Sequence, residues 1–388
     1  MNYEKLISEL QTPFYAFDLD ALRKRIEFIK SSLPNHIDLC YAVKANTFII
    51  NEAEKYVPRL EVCSPGEFEI CEALSVPMKK IVLSGVYKTP DFIERVITQY
   101  EDVGIYTIES VRQYELLKAL CEKHGRKIDI LVRINSKSQF GVTEDDFDYI
   151  ISDCNPVYMT IKGIQYFSTT QKSSQKKLKR ELDYLTDLIA RTEEKYGLII
   201  EELEYGTGSP VVYFEEESFD EEEYFSSLSN LLCNLPGKLK ITLEMGRSIA
   251  ASCGAYFSKV VDIKSNKAGN FAIIDGGMNH LVYFGQSMAM KHPFFEVFPE
   301  RDSANTLDWN ICGSLCTVND IVVKSLPIAS LAVDDTIIFK NTGAYCMCEG
   351  ISLFLSRELP AVVLVDNDDI NVVRNHFKTS ELNKPNNL

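Results

Sequence analysis

One lysine stands where the sequence could present a reactive amine. Lys44 follows the apolar run of residues 38–43 in the segment CYAVKAN, which predicts that it leaves the end of a buried strand. A lysine in that place is partly withdrawn from water, and desolvation favours the neutral amine that adds to carbonyl carbons. By position alone, Lys44 is equally compatible with a lysine that ends a strand and points into solvent.

A glycine pair further along predicts a place for an anion. Gly206, Thr207 and Gly208 stand in EYGTGSP, after another strand-like run. Glycines allow backbone N–H groups to approach a phosphate closely, and barrel enzymes often bind phosphate after their seventh and eighth strands. Taken alone, the same segment is also typical of an ordinary turn.

A carboxylate and a guanidinium follow the last strand-like run of this half of the chain. Glu244, Gly246 and Arg247 stand in LEMGRS. A carboxylate at a strand end could keep the ring nitrogen of a cofactor protonated, which would make that ring a strong acceptor of electrons. The alternative is a surface ion pair between Glu244 and Arg247, which would contribute little.

These segments follow predicted strands that alternate with amphipathic helices. Eight short, apolar runs begin near residues 38, 60, 81, 103, 129, 160, 201 and 240. Eight strand–helix units in about 230 residues are typical of a (β/α)8 TIM barrel, an α/β fold whose active site lies at the C-terminal ends of the strands. The alternative is a doubly wound open sheet, but no nucleotide-binding glycine motif is found, which favours the barrel.

The pattern changes after residue 250, where strand-like runs follow one another with few helices between them. This predicts a barrel over residues 20–252 and a mostly β domain over 253–388, of sandwich or barrel-like form. The strand-like segment TPFYAFDL precedes the first barrel helix, so residues 1–19 are expected to join the β domain.

Composition excludes several classes of function. The net charge of −15 argues against a nucleic-acid partner. The eleven cysteines lack the spacing of a metal site, so no metal is expected, and their odd number and apolar surroundings favour a reducing, cytoplasmic compartment. No apolar run reaches 18 residues, so no membrane span is expected.

Eight short segments occur in the order found in one enzyme family: YAVKAN, EVCSPGEFE, LVRIN, GTGSP, EMGRS, IIDGGMN, CGSLCTVND and TGAY. Over residues 12–373 the chain therefore resembles the fold-type III decarboxylases that depend on pyridoxal 5'-phosphate (PLP), the group of diaminopimelate, ornithine and arginine decarboxylases. The resemblance implies an alanine-racemase-like barrel with a C-terminal β domain, PLP as cofactor, and decarboxylation of an amino acid as the activity.

The resemblance also implies roles for single residues. Lys44 would carry PLP as a Schiff base, Glu244 would pair with the pyridine nitrogen, and Cys316 would protonate the carbanion after CO2 leaves. In this family the cysteine comes from the partner subunit, so a homodimer with shared active sites is implied. Other cofactor contacts are implied for Glu61, Glu67, Arg133, Thr170, Gly206, Thr207, Gly208, Gly246, Arg247 and Tyr345.

Four positions depart from the family pattern. Phe167 stands where a histidine usually lies against the ring, and Thr170 replaces a serine. An aromatic ring can still stack on the cofactor, but it cannot donate a hydrogen bond. Thr317 replaces the acidic residue that binds the distal amine of the substrate. Tyr283 stands near the place of an arginine that binds a distal carboxylate of the substrate. The absence of both residues that would bind a charged distal group predicts a modified or conjugated amino acid as substrate, rather than diaminopimelate, ornithine or lysine.

Three alternative functions stay open at this point. An amino-acid racemase on the same fold would need a tyrosine base opposite the lysine, and Cys316 in CGSLC argues against it. A non-catalytic PLP-binding protein would lack the β domain. The third alternative is a barrel that binds no PLP at all.

Overall fold

Eight parallel strands close into a barrel in the computed structural model, which describes residues 1–301 and 306–385. The strand that precedes them, β1, is Phe14–Asp18. The barrel strands are β2 (Ile37–Ala42), β3 (Arg59–Val62), β4 (Ile81–Leu83), β5 (Ile105–Ile108), β6 (Ile128–Arg133), β7 (Met159–Phe167), β8 (Glu202–Gly206) and β9 (Lys240–Met245). Hydrogen bonds between β2 and β9 complete the closure. The predicted TIM barrel is confirmed, and the doubly wound alternative is wrong.

Helices connect the barrel strands and lie at both ends of the chain. They are α1 (Tyr3–Glu9), α2 (Leu19–Ser31), α3 (Ile50–Ala53), α4 (Pro65–Ala73), α5 (Pro90–Gln99), α6 (Val111–His124), α7 (Glu144–Asp153), α8 (Gln175–Tyr196), α9 (Glu221–Cys233), α10 (Arg247–Ala250) and α11 (Ser380–Asn383).

Local sequence explains where several of these helices begin and end. Ser110 caps α6 by accepting the Gln113 N–H, and Gly125 ends it in the left-handed conformation. Thr143 and Asp146 form a reciprocal capping box at the start of α7.

A nine-stranded mixed sheet forms a second compact unit. Its strands are β1, β10 (Gly254–Asn266), β11 (Gly269–Ile274), β12 (Phe295–Phe298), β13 (Thr306–Cys312), β14 (Ile321–Ala329), β15 (Thr336–Lys340), β16 (Ala361–Asp366) and β17 (Asp369–Arg374). The N-terminal strand β1 runs antiparallel to β10 and parallel to β16. Phe14 of β1 stacks on Phe257 of β10 with ring centroids 4.4 Å apart, within a core that also contains Ile338 and Val363.

The chain crosses between the two units several times. The barrel unit comprises residues 26–210 and 220–246. The sheet unit comprises residues 1–25, 211–219 and 247–388. The predicted combination of a TIM barrel with a separate β domain is confirmed.

Candidate active site

Lys44 lies directly after β2 in a short 3-10 turn at the C-terminal end of the barrel. Its Nζ is 2.7 Å from Oε2 of Glu61 and 3.6 Å from Oε1 of Glu244. The side chain is 39% exposed, so Lys44 lies at the barrel mouth with its amine held by protein rather than free in water.

The two carboxylates beside Lys44 are buried because strand register turns them into the barrel. Glu61 of β3 lies opposite Ala42 of β2, and Glu244 of β9 lies opposite Cys40 of the same strand. Both side chains are almost completely buried, so the surface ion pair considered for Glu244 is wrong.

Glu61 and Glu244 share a hydrogen bond, and their pKa values are shifted in opposite directions. Burial, and then the adjacent Glu61 charge, raise the pKa of Glu244 well above its ordinary value. Burial alone would also raise the pKa of Glu61, but the Lys44 ammonium and the hydrogen bond from Glu244 lower it. Of the two neighbouring carboxyls, Glu244 therefore has the higher pKa, as expected when only one of a close pair ionises readily.

Cys63 is a neighbour of Lys44 that the sequence argument missed. Its Sγ is 3.6 Å from the Lys44 Nζ, and burial raises the pKa of the thiol. The two-residue period of β3 could have revealed it, because Glu61 and Cys63 belong to the same face. Glu67 holds this segment in place, since its carboxylate accepts the Cys63 N–H at 2.7 Å.

Arg133 is held at the end of β6 by a third buried carboxylate, that of Glu109. Its Nη1 donates to Oε2 of Glu109 at 2.8 Å, and its guanidinium carbon lies 4.8 Å from the centre of the Phe140 ring. Glu109 also accepts the Gly85 N–H at 3.1 Å, which links the ends of β4, β5 and β6. Glu109 was not predicted from sequence, because nothing in its local spacing marks it.

The turn after β8 meets the end of β7 with almost no space between them. A Cβ atom on Gly206 would lie 2.2 Å from Cδ2 of Phe167, so only glycine fits beside that ring. Gly208 has a φ of +59°, and a Cβ there would lie 2.2 Å from the Thr169 carbonyl oxygen. Among the described residues the Gly208 N–H has no acceptor, which fits an anion-binding turn. Thr170 lies half-buried in the loop that covers this turn.

In the sheet unit, Arg247 is enclosed by aromatic rings. Its guanidinium carbon lies 4.5 Å from the ring centre of Tyr345 and 4.6 Å from that of Phe284, and Nη1 donates to the Tyr213 hydroxyl at 2.9 Å. The side chain is 8% exposed, and its buried Nε has no hydrogen-bond partner among the described residues. An unpartnered guanidinium N–H of this kind fits an anion.

Cys316 lies on an exposed loop of the sheet unit between β13 and β14. One carboxylate holds the loop, since Asp320 accepts the N–H groups of Leu315 at 2.7 Å and Met278 at 2.8 Å. Thr317 has no charge, and its N–H donates to the Leu315 carbonyl. Tyr283 is buried, and its hydroxyl donates to the Lys340 carbonyl at 2.6 Å. A role for Tyr283 in substrate binding stays a prediction.

The residues present fit PLP. The barrel unit offers a primary amine between buried carboxylates and a glycine turn with an unused N–H group. These are the groups needed to hold an aldehyde cofactor with a basic ring nitrogen and a phosphate.

Comparison with known proteins identifies the family. Residues 19–251 match the family model described as pyridoxal-dependent decarboxylase, pyridoxal binding domain. The chain belongs to this family of pyridoxal-dependent decarboxylases. Family membership favours a decarboxylase over the racemase and the non-catalytic carrier, and it contradicts the barrel without PLP.

Curated relatives of this decarboxylase share about a quarter of its residues over nearly full length. A diaminopimelate decarboxylase of Haemophilus influenzae is 27% identical, with 98% of this chain and 95% of the relative covered. An L-glutamyl-(BtrI acyl-carrier protein) decarboxylase of Niallia circulans is 26% identical, over 95% and 92%. A 2-((L-alanin-3-ylcarbamoyl)methyl)-2-hydroxybutanedioate decarboxylase of Staphylococcus aureus is 26% identical, over 90% and 93%.

Solved structures show the same fold. A diaminopimelate decarboxylase from Helicobacter pylori, complexed with L-lysine, superposes with a TM-score of 0.86 at 23% identity and covers 98% of both chains. A lysine/ornithine decarboxylase from Vibrio vulnificus, complexed with cadaverine, gives a TM-score of 0.81 at 19% identity, with 94% of this chain and 95% of that chain covered. Among the described residues, no helix is both long and apolar enough to cross a membrane.

Proposed function

We propose that this decarboxylase removes the α-carboxylate of a modified or conjugated amino acid, with PLP joined to Lys44. The observation that carries the proposal is the position of the Lys44 amine at the barrel mouth, 2.7 Å from Glu61 and 3.6 Å from Glu244. When bound, PLP supplies a ring that accepts the electron pair left behind by CO2.

Each protein group at the barrel mouth has a task in that chemistry. Lys44 would supply the primary amine that holds the aldehyde cofactor. Glu244 would lie beside the ring nitrogen, and its carboxyl, whose pKa burial raises, would share a proton with that nitrogen and keep the ring protonated. Glu61 lies against the Lys44 amine and orients it, while Gly206, Thr207 and Gly208 are assigned to the phosphate.

The substrate class rests on uncharged side chains and on the relatives. Thr317, beside Cys316, offers no charge to a distal ammonium, and binding sites built for a charged group discriminate by pairing it. A cavity of about 370 Å³ next to this loop is lined mostly by apolar and amide side chains, among them Met278, Met288 and Val318, with Lys324 as its one charged lining residue among those described. Two of the relatives act, by name, on conjugated amino acids.

A panel of substrates tests this proposal directly. We expect CO2 release from amide-linked or thioester-linked amino acids that keep a free α-amine and α-carboxylate. Diaminopimelate, ornithine and lysine should be turned over far more slowly by the same preparation. Turnover of diaminopimelate at an ordinary enzyme rate would show that the proposed substrate class is wrong.

We also propose that Cys316 protonates the carbanion in a homodimer with shared active sites. In the single chain, the Cys316 thiol and the adjacent Val318 are exposed, and Val318 is 89% accessible, so this loop has a free surface for a second copy. Most homodimers are two-fold symmetric, so mixing inactive Lys44→Ala and Cys316→Ala proteins should restore up to about a quarter of wild-type activity. No recovery after verified subunit exchange would contradict the shared site.

We place the enzyme in the cytoplasm, because its eleven cysteines are all free thiols.

A further inference from the structure

A buried lysine lies in the loop between β7 and α8, outside the groups already assigned. The Lys172 side chain is 0% exposed. Its Nζ donates to Oε2 of Glu181 at 2.6 Å, to the Tyr205 hydroxyl at 3.1 Å and to the Gly206 carbonyl at 3.2 Å. All these residues belong to the barrel unit.

Stability alone does not account for this ion pair. Burial lowers the pKa of Lys172, and Glu181 only partly compensates for the lost hydration. Glu181 is also bonded by the hydroxyls of Ser168 at 2.6 Å and Tyr205 at 2.7 Å, so the pair is well satisfied. Well-packed apolar residues are often as stabilising as a buried ion pair, so stability gives no reason for charged groups at this place.

Lys172 holds the glycine turn that is assigned to the phosphate. Its side chain donates to the Gly206 carbonyl, and its backbone N–H donates to the Gly208 carbonyl at 2.7 Å. Between them, the Thr207 carbonyl accepts the Tyr224 hydroxyl at 3.4 Å. Three consecutive carbonyls therefore have donors within the barrel unit.

The orientation of these carbonyls determines where the N–H groups point. In a planar trans peptide the C=O of one residue and the N–H of the next point in opposite directions. The peptide joining Thr207 to Gly208 directs its oxygen at Tyr224, so the Gly208 N–H, which has no acceptor among residues 1–301 and 306–385, points the other way. Bonds from Lys172 to Gly206 and Gly208 hold this peptide on both sides.

We propose that Lys172, paired with Glu181, is a positioning residue for the phosphate of PLP. It acts through the Gly206–Gly208 turn by holding two carbonyls inward, which leaves the Gly208 N–H directed at the anion. This inference rests on the proposed function, because it assumes that the turn receives the cofactor phosphate.

Comparing PLP with pyridoxal, which lacks the phosphate, distinguishes positioning of the phosphate-binding turn from a general loss of stability. In Lys172→Met holoenzyme, PLP should be lost on dialysis with an apparent Kd raised about tenfold or more, as expected when a charge-assisted hydrogen bond is removed. Enzyme reloaded with pyridoxal should show less than about a twofold difference between wild type and variant, because no phosphate reaches the turn. The ³¹P resonance of bound PLP should also shift in the variant.

A double variant distinguishes the loss of the Lys172 hydrogen bonds from misfolding as the cause of weaker PLP binding. Lys172→Met leaves the buried Glu181 carboxylate without its cationic partner, which can lower the Tm of the protein. Lys172→Met/Glu181→Gln removes both charges but keeps an acceptor for the Ser168 and Tyr205 hydroxyls, so its Tm should stay near that of wild type while the weaker binding of PLP persists. Lys176→Met removes an exposed lysine nearby and should change neither ligand's affinity.

Two results would overturn the inference. The first is a folded double variant that retains PLP as wild type does. The second is an equal loss of PLP and pyridoxal. If the wild-type protein itself failed to bind PLP, the proposed function would be wrong. If wild type bound PLP and the variants bound it equally well, only the role of Lys172 would be wrong.

Discussion

The barrel mouth and the Cys316 loop place reactive groups by different means. At the barrel mouth, adjacent strands bring Lys44, Glu61 and Glu244 together, and both carboxylates are buried. In the sheet unit, Cys316 lies on an exposed loop whose backbone is held by the Asp320 carboxylate. A closed sheet can position an amine by register alone, whereas an exposed thiol needs a further surface before it can act as a selective acid.

This difference assigns separate functions to the two regions. The barrel mouth should control cofactor attachment and the electron demand of the ring. The Cys316 loop should control only what happens after CO2 has left. Substitutions in the two regions should therefore affect cofactor retention and turnover separately.

The largest effect is expected at Lys44. Lys44→Ala removes the only assigned cofactor amine, so both the visible absorbance of bound PLP and CO2 release should be lost. The measurement is an absorbance spectrum after dialysis, together with an assay of CO2. A Lys172→Met protein is not expected to lose activity completely, because Lys44 remains. Full activity in Lys44→Ala would contradict the assignment.

Glu244→Gln should lower kcat by roughly 10²–10³, a typical loss when a group that stabilises developing charge is removed. The amide cannot become an anion beside a protonated ring, although it has nearly the same shape. PLP should still be retained, so the spectrum of bound cofactor is measured beside the rate. Glu67→Gln is the matched control, because Glu67 binds the Cys63 backbone, and its effect should be smaller.

Replacing Cys316, or the Asp320 carboxylate that holds its loop, should change turnover but not cofactor retention. Cys316→Ala removes a proton donor and should cost about 10² in kcat. Asp320→Ala releases the Leu315 and Met278 N–H groups, so it should produce part of that loss and lower stability by about 1–3 kcal/mol. The measurement is the release of PLP on dialysis. Faster release from either variant than from wild type would show that the Cys316 loop also affects cofactor retention.

The smallest effect on activity is expected at His280, whose titration changes the stability of the sheet unit with pH. Burial lowers the pKa of His280 from 6.5 to about 4, and the neutral ring contacts the Tyr256 hydroxyl at 3.1 Å and the Glu358 carbonyl at 2.7 Å. As pH falls through 6.5, the unfolded chain binds a proton that the folded protein excludes until about pH 4. The stabilising contribution of His280 is therefore complete above pH 6.5 and is lost toward pH 4, by up to about 3 kcal/mol.

Urea unfolding at pH 7.5 and pH 5 measures this effect. The free energy of unfolding of wild type should fall between the two values by more than that of His280→Gln. Equal losses in the two proteins would show that His280 does not titrate as its burial indicates. Cofactor retention should be unchanged by the substitution at pH 7.5.

The sequence by itself determined the barrel, the family and the principal groups of the site. Short apolar runs at regular spacing mark parallel strands, and residues after such strands must gather at one end of the barrel. Lys44, Glu61 and Glu244 were predicted in this way or through motif order, and the structure places them within hydrogen-bond or ion-pair distance. The predicted roles of Arg247, Tyr345, Cys316 and Thr317 stay predictions.

Only the tertiary structure decided which polar groups are buried together. Glu109 beside Arg133, and Lys172 paired with Glu181, come from separate strands, loops and helices, and no local spacing marks them. Cys63 shares a strand face with Glu61, but only the fold shows that its Sγ lies 3.6 Å from the Lys44 amine. The physical reason is that burial and orientation depend on neighbours distant in sequence. A lysine in a polar segment such as STTQKSSQ reads as exposed until the fold places Glu181, Tyr205 and the Gly206 carbonyl around its amine.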